Sequence, residues 1–337
     1  MREPAFWWRS PGLAAALLSP LSAGYGAVAA RSFRKRGRKA PVPVLCIGNL
    51  TLGGSGKTPT ALAVARLLID AGERPFFLTR GYGGRHPGPV RVDPEHHQAA
   101  VVGDEPLLLA ELAPTIVARD RVAGAMLAVG ASVIVMDDGF QNPSLVKDLS
   151  IVVVDGKRGI GNGRVFPAGP LRAPFAVQLE RADALLVVGA SSGALMVTAA
   201  ATARGIPVLQ GRIEPEPAAL AAWAGRRVLA FAGIGDPEKF FATLAAAGID
   251  APVRESFPDH HRYTRAEAKA LVTRAEQEGL DLITTEKDLA RLAGDPEVAT
   301  LATRARALPV TLVLDDEAAF RQWLLAGLAK GRPRGVT

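Results

Sequence analysis

From residue 42 to residue 155, unbroken apolar runs alternate with stretches whose apolar residues recur every three or four positions. Residues 42–48 (VPVLCIG), 75–79 (PFFLT), 114–118 (PTIVA), 132–136 (SVIVM) and 149–155 (LSIVVVD) are short and apolar, as in strands covered on both faces. Between them, residues 59–72 and 119–131 carry helical spacing, and the first of these stops at Gly72. Strands alternating with helices predict a doubly wound parallel sheet, which binds ligands at the carboxyl ends of its strands. Strand-like runs recur at residues 182–190 and 207–213; after Pro215 and Pro217, residues 226–248 and 281–292 read as further strand–turn–helix units. The pattern predicts an N-terminal segment (1–40), a nucleotide-binding core (41–217) and a smaller second α/β lobe (218–337).

Residues 10–30 carry no charge, and the run from Arg31 to Lys39 that follows is strongly basic. This segment reads as an interfacial or monotopic membrane anchor, with Phe6, Trp7, Trp8 and the basic run at its ends. A full span and a buried Ala-rich core helix are the alternatives; Pro11, Pro20, Gly24 and Gly26 weaken the span. A secretory signal is disfavoured because positive charge directly after the apolar stretch resists export.

Composition narrows the picture. Of 337 residues, 48% are hydrophobic and 22% charged, which excludes intrinsic disorder. The single cysteine, Cys46, excludes a disulfide framework and a cysteine-built zinc site. Forty Lys and Arg against 33 Asp and Glu give +7, a balance suited to an anionic partner. Aromatics at 6% argue against a base-stacking platform, so no nucleic-acid partner is expected. No obligatory protein partner is evident.

Chemistry concentrates after the first strand. Thr51-Leu52-Gly53-Gly54-Ser55-Gly56-Lys57-Thr58 joins that strand to a helix, the context of a phosphate-binding loop. Its backbone amides and the helix N-terminus would cradle the phosphates of ATP, with Lys57 on the β- and γ-phosphates and Thr58 on Mg²⁺. The usual pattern has glycine where Thr51 stands. The strand ending in Asp137-Asp138-Gly139 resembles a Walker B segment, so one aspartate would hold Mg²⁺ directly or through water. Because neighbouring strand residues face opposite ways, the two carboxylates would have different roles.

Asp104 opens a predicted helix, as a functional carboxylate or as an N-cap. Residues 156–174 are rich in Gly, Pro and Arg and too long for an idle connection, so a binding loop is expected there, with Arg164 and Arg172 able to meet an anionic substrate. Asp259-His260-His261 could be a catalytic or substrate-binding cluster, half a metal site or an exposed loop. Thr285-Glu286-Lys287-Asp288 lacks the asparagine of a guanine-selecting motif, which removes support for a GTPase.

Seven motifs occur in order: NLTLGGSGKTP, RGYGG, VGDEP, DDGFQ, GNGRVFPAGPLR, FPDHHRY and TTEKD. Together they resemble the tetraacyldisaccharide 4'-kinase family, the lipid A 4'-kinases of Gram-negative inner membranes. The resemblance implies a P-loop core with a second α/β lobe and a membrane-associated N-terminal helix at the cytoplasmic face. It implies transfer of the ATP γ-phosphate to the 4'-hydroxyl of an acylated disaccharide 1-phosphate, with Mg²⁺. It carries the base role to Asp104 and a partnering histidine role to His260, with His261 as the alternate; Thr58, Asp137 and Asp138 are the expected metal residues. Arg80, Tyr82, Arg119, Asn162 and Arg172 are the expected substrate contacts. One position departs: the family commonly has glutamate after PLR, and this chain has Ala173. The spare aspartate of Asp137 and Asp138 is one possible substitute. A partitioning-type regulatory ATPase is the rival reading. It asks for a lysine just before the paired glycines, where Leu52 stands.

Overall fold

The apolar run at residues 42–48 is the strand Val44–Asn49, central in a nine-stranded sheet. The computed structural model describes residues 3–332. On one side of the central strand lie Leu149–Asp155, Ala184–Val188, Val208–Pro215 and, at the edge, Val310–Leu314. On the other lie Val133–Asp137, Pro75–Thr79, Thr115–Val117 and the short edge strand Val90–Arg91. Every pairing is parallel except those of the two edge strands. Successive residues of the central strand feed opposite faces: Leu45 and Ile47 join one core, Val44 and Cys46 the other. This two-sided burial is why the strand sequences read as continuous apolar runs.

Asp120 caps the helix Arg121–Leu127, and Gly72 (φ 82°) follows the helix Lys57–Asp70 at the expected stop. The second lobe is a four-stranded parallel sheet of Asp250–Ser256, Arg227–Ala232, Asp281–Thr284 and Arg306–Ala307.

The predicted boundary of that lobe requires correction. The chain does not stay in it to residue 337. Val310–Leu314 returns to pair antiparallel with Val208–Pro215, and the helix Glu317–Gly331 buries Phe320, Leu324 and Leu328 beside the helix Lys57–Asp70. The edge of Val208–Pro215 would otherwise present open backbone groups, and the apolar stripe at four-residue spacing needs a face to cover.

The N-terminal helix runs unbroken from Leu13 to Phe33, with Pro20 inside it. Only Ala15, Ser22, Gly26 and Phe33 are buried, while Leu13, Leu17, Leu21 and Val28 lie between 65% and 85% exposed. A buried core helix is therefore excluded. The helix is seated on the 156–174 loop: the Ser22 hydroxyl donates to the Val165 carbonyl at 2.7 Å, and Gly26 lies against Val165 and Pro174. Trp7 does not reach outward as expected of an anchor. It is buried, and its indole N–H donates to the Pro167 carbonyl at 3.0 Å.

Candidate active site

The phosphate loop closes because the 156–174 loop braces it. Leu52 N–H donates to the Pro170 carbonyl at 2.8 Å, and Arg172 N–H donates to the Leu50 carbonyl at 2.9 Å. Thr51 pairs with Leu171 in an isolated antiparallel bridge, an extended role that a β-branched residue fills well. That explains why glycine is not needed at this position. Gly53 (φ 98°) and Gly56 (φ 88°) supply the left-handed turns instead. A side chain at Gly53 would also overlap the carboxylate of Glu3.

The two adjacent aspartates have distinct surroundings, as their opposite facing implies. Asp138, at φ 50°, receives the Arg172 guanidinium at 2.8 Å and lies 3.6 Å from the Lys57 ammonium. Burial alone would raise its pKa; Lys57 and Arg172 hold it well below the usual carboxylate range. Both carboxylate oxygens of Asp137 are buried with no hydrogen-bond partner, and burial together with Glu105 and Asp138 raises its pKa to about 7. A buried carboxylate without a donor fits a cation. With the buried Thr58 at the start of the helix Lys57–Asp70, it offers the oxygen donors that Mg²⁺ prefers. Of the two expected carboxylates, Asp138 is paired with two cations, while Asp137 has no hydrogen-bond partner among the described residues. Ala173, where the resemblance asks for glutamate, is fully buried. The Ala173 carbonyl accepts from Gln178 at 2.7 Å, and Gln178 accepts from Gln141 at 3.0 Å.

Asp104 is the first residue of the helix Asp104–Leu112 and its side chain is only 3% exposed. It is not the N-cap; Gly103 holds that position, without a side-chain cap. Asp104 Oδ1 lies 3.3 Å from His260 Nδ1, and Oδ2 accepts from Arg291 Nε at 2.7 Å. Burial alone would raise the Asp104 pKa; the bond to His260 and the charges of Arg291 and Lys287 hold it well below the usual range. For His260, burial opposes the charged form, but Asp104 outweighs it and lifts the pKa.

The structure separates the two adjacent histidines. His260 sits at φ 55° with its ring 4.8 Å from that of Tyr82, and so faces the core domain. His261 turns away: its Nε2 pairs with Glu267 at 3.0 Å, and it stacks on Phe257. His261 as the alternate partner of Asp104 is thereby corrected, since adjacent residues of this turn face different ways.

Of the expected substrate residues, Arg80, Tyr82 and Arg119 are exposed and free to meet a ligand. Asn162 is not: its side chain donates to the Ala168 carbonyl at 2.9 Å and accepts from Arg164 N–H at 3.0 Å, which shapes the loop. Arg172 is engaged by Asp138 and by the Thr51 carbonyl at 2.9 Å. Sequence reading missed Arg291. It sits one helical turn after Lys287, donates to Asp104, Asp288 and the Gly233 carbonyl, and so ties the second lobe to the first. Lys287 adds a 2.5 Å pair with Glu105 across the same interface. The spacing of Lys287 and Arg291 on one helix face was the available signal.

The pair carries a testable pH signature. The His260 pKa is raised in the folded chain, so the stability it adds is complete below about pH 6.5 and is lost as pH rises through the raised value. Denaturant titration at pH 6 and pH 9 should show His260→Gln destabilised more at the lower pH. Equal losses at both would mean the histidine is not coupled to Asp104.

Profile and sequence comparison decide the family. The profile of the tetraacyldisaccharide-1-P 4'-kinase family matches residues 14–329. The chain belongs to the tetraacyldisaccharide 4'-kinase family. It is 56% identical to the tetraacyldisaccharide 4'-kinase of Rhodopseudomonas palustris strain BisA53 over 99% of this chain and 98% of that one. It is 54% identical to that of Nitrobacter winogradskyi over 98% of this chain and 99% of that one. The crystal structure of LpxK from Aquifex aeolicus, solved in complex with ATP, superposes with a TM-score of 0.72 at 28% identity, covering 93% of this chain and 99% of that one. The P-loop core, second α/β lobe and apolar N-terminal helix expected of this kinase family are all present.

Proposed function

We propose that this kinase transfers the γ-phosphate of ATP to the 4'-hydroxyl of an acylated glucosamine disaccharide 1-phosphate, with Asp104 and His260 acting on that hydroxyl. The observation that carries the assignment is the buried Asp104 with His260 Nδ1 at 3.3 Å from its Oδ1, in a chain that also carries the phosphate loop. Loose phosphoryl transfer asks the protein mainly for positioning and charge neutralisation. In this reading the loop amides and Lys57 hold the phosphates, Arg172 keeps Asp138 turned to Lys57, and Asp104 Oδ1 accepts the hydrogen bond of the acceptor hydroxyl. As the new P–O bond forms and the γ-phosphate's bond to the departing ADP breaks, that proton passes to the Asp104 carboxylate. A carboxylate held at low pKa is a weak base, so its first task is to orient the hydroxyl, and His260, whose pKa Asp104 raises, balances its charge. Thr58 and Asp137 would hold Mg²⁺, which when bound neutralises phosphate charge. Arg80, Tyr82 and Arg119 border the acceptor side. A transfer assay with Mg-ATP and tetraacyldisaccharide 1-phosphate tests this reading, and nucleotide hydrolysis without lipid phosphorylation would defeat it. The partitioning ATPase is not favoured, since the kinase family profile spans nearly the whole chain.

The acceptor's acyl chains keep it in a bilayer, so we place the enzyme on the cytoplasmic face of the inner membrane. The helix Leu13–Phe33 supports this placement. Its 21 residues run about 31 Å, and the mostly exposed leucines would each gain about 1.5–3 kcal/mol on burial. Deleting residues 1–30 should release the protein from sedimented membranes into the supernatant. Full retention in the pellet would move the anchor elsewhere.

A further inference from the structure

We propose that a cavity at the foot of the N-terminal helix is a binding site for the phosphodiester head group of an anionic glycerophospholipid. The site rests on the membrane-surface reading above but takes no part in phosphoryl transfer. The cavity is a half-open hollow of about 630 Å³. Phe33, the last residue of the apolar helix, forms part of its wall, and five cations line it: Arg34, Lys35, Arg36, Lys147 and Arg181.

These cations have no carboxylate partner among the described residues. Arg181 donates to the Phe33 carbonyl at 3.1 Å, and Lys147 to the Asn142 carbonyl at 2.5 Å. Lys147 is the most desolvated of the group. Burial pushes its pKa below the usual lysine range, and the nearby charges of Arg181 and Arg121 push the same way. A bound anion would relieve that repulsion. Glu180 and Asp183 also border the cavity, but Asp183 is occupied in accepting the Ser150 N–H at 2.7 Å, and the cations remain in excess.

The site is built rather than a loose basic tail. The backbone of Arg38 is pinned to the facing loop by two hydrogen bonds, Arg38 N–H to the Ser144 carbonyl at 2.8 Å and Val146 N–H to the Arg38 carbonyl at 2.9 Å. A side chain at Gly37 would collide with the Leu145 backbone, so the two segments are in direct contact. The cations therefore stand where the exposed apolar face of the helix ends. A glycerophospholipid has the same succession, acyl chains and then a phosphate.

Vesicle binding of the full chain, without nucleotide or acceptor, tests the site independently of the kinase reading. The vesicles are phosphatidylcholine alone or with about 20% phosphatidylglycerol. Two double variants remove the same charge: Lys147→Gln with Arg181→Gln inside the cavity, and Arg31→Gln with Lys39→Gln in the same basic region but outside it. At about 0.15 M salt both should weaken phosphatidylglycerol-dependent binding, because each cation near an anionic surface contributes. At about 0.5 M salt the Debye length falls to about 4 Å and diffuse attraction fades. There the outside variant should match the parent, while the cavity variant stays about tenfold weaker. Equal behaviour of the two variants at both salts would overturn the proposal. A second measurement needs no variant. Short-chain phosphatidylglycerol, below its micelle concentration, should slow acylation of the Lys147 amine, read by mass spectrometry. No protection, or equal protection by inorganic phosphate at the same concentration, would overturn the head-group assignment.

Discussion

Asp104→Asn is expected to lower kcat by about 10²- to 10⁴-fold with little change in the KM for ATP. The substitution keeps the shape of the side chain and its place at the start of the helix Asp104–Leu112. It removes the charge that, in the proposed mechanism, orients the acceptor hydroxyl. Arg291 is not orphaned, because Asp288 still accepts from it at 2.8 Å, so the fold should survive. The KM for ATP should hold because Asp104 is not part of the phosphate loop proposed to hold the nucleotide. His260→Ala should cost less. The double variant should be less damaged than the product of the two losses, as expected of groups acting as a unit. Steady-state kinetics on the four proteins reads all of this. Multiplicative losses would argue against a coupled pair, and a normal kcat in Asp104→Asn would reduce Asp104 to a structural link to the second lobe.

Lys57→Ala should lower turnover by at least about 10³-fold, the scale of removing a charge that stabilises the transferring phosphoryl group. Lys57 is the only lysine of the phosphate loop, and it lies 3.6 Å from Asp138. Its removal leaves Asp138 with the Arg172 guanidinium at 2.8 Å, so no buried carboxylate is stranded and the melting temperature should change little. Lys57→Arg is not a rescue, since the planar guanidinium does not fit a cradle shaped for a compact ammonium. Near-normal turnover in Lys57→Ala would remove the phosphate loop from the reaction.

Much of the core was legible because local rules and tertiary demands agree there. The strand at residues 44–49, the glycine-rich turn and the helix to Asp70 follow from apolar runs, left-handed glycines and a Gly72 stop. Thr51 at a glycine position looked like a defect. The bridge to Leu171, 120 residues along the chain, makes it an ordinary extended residue, and no local pattern encodes such a partner.

The C-terminal return shows the same limit. Residues 310–331 form one more strand and helix, and the open edge of Val208–Pro215 decides which sheet they join. The histidine pair was likewise undecidable in sequence. His260 and His261 are chemically identical, and the backbone turn at His260 (φ 55°) sends one to Asp104 and the other to Glu267. For Arg291 the helix spacing with Lys287 was visible but its partners were not, because Asp104 and Gly233 are brought to it by the packing of two lobes. The sequence by itself determined the elements, the phosphate loop, the acidic strand end and the apolar helix, because those depend on residues near one another in the chain. The tertiary structure alone decided which of the two adjacent aspartates is left unpartnered, which histidine meets Asp104 and where the last helix packs, because burial and ion pairing depend on neighbours distant in sequence.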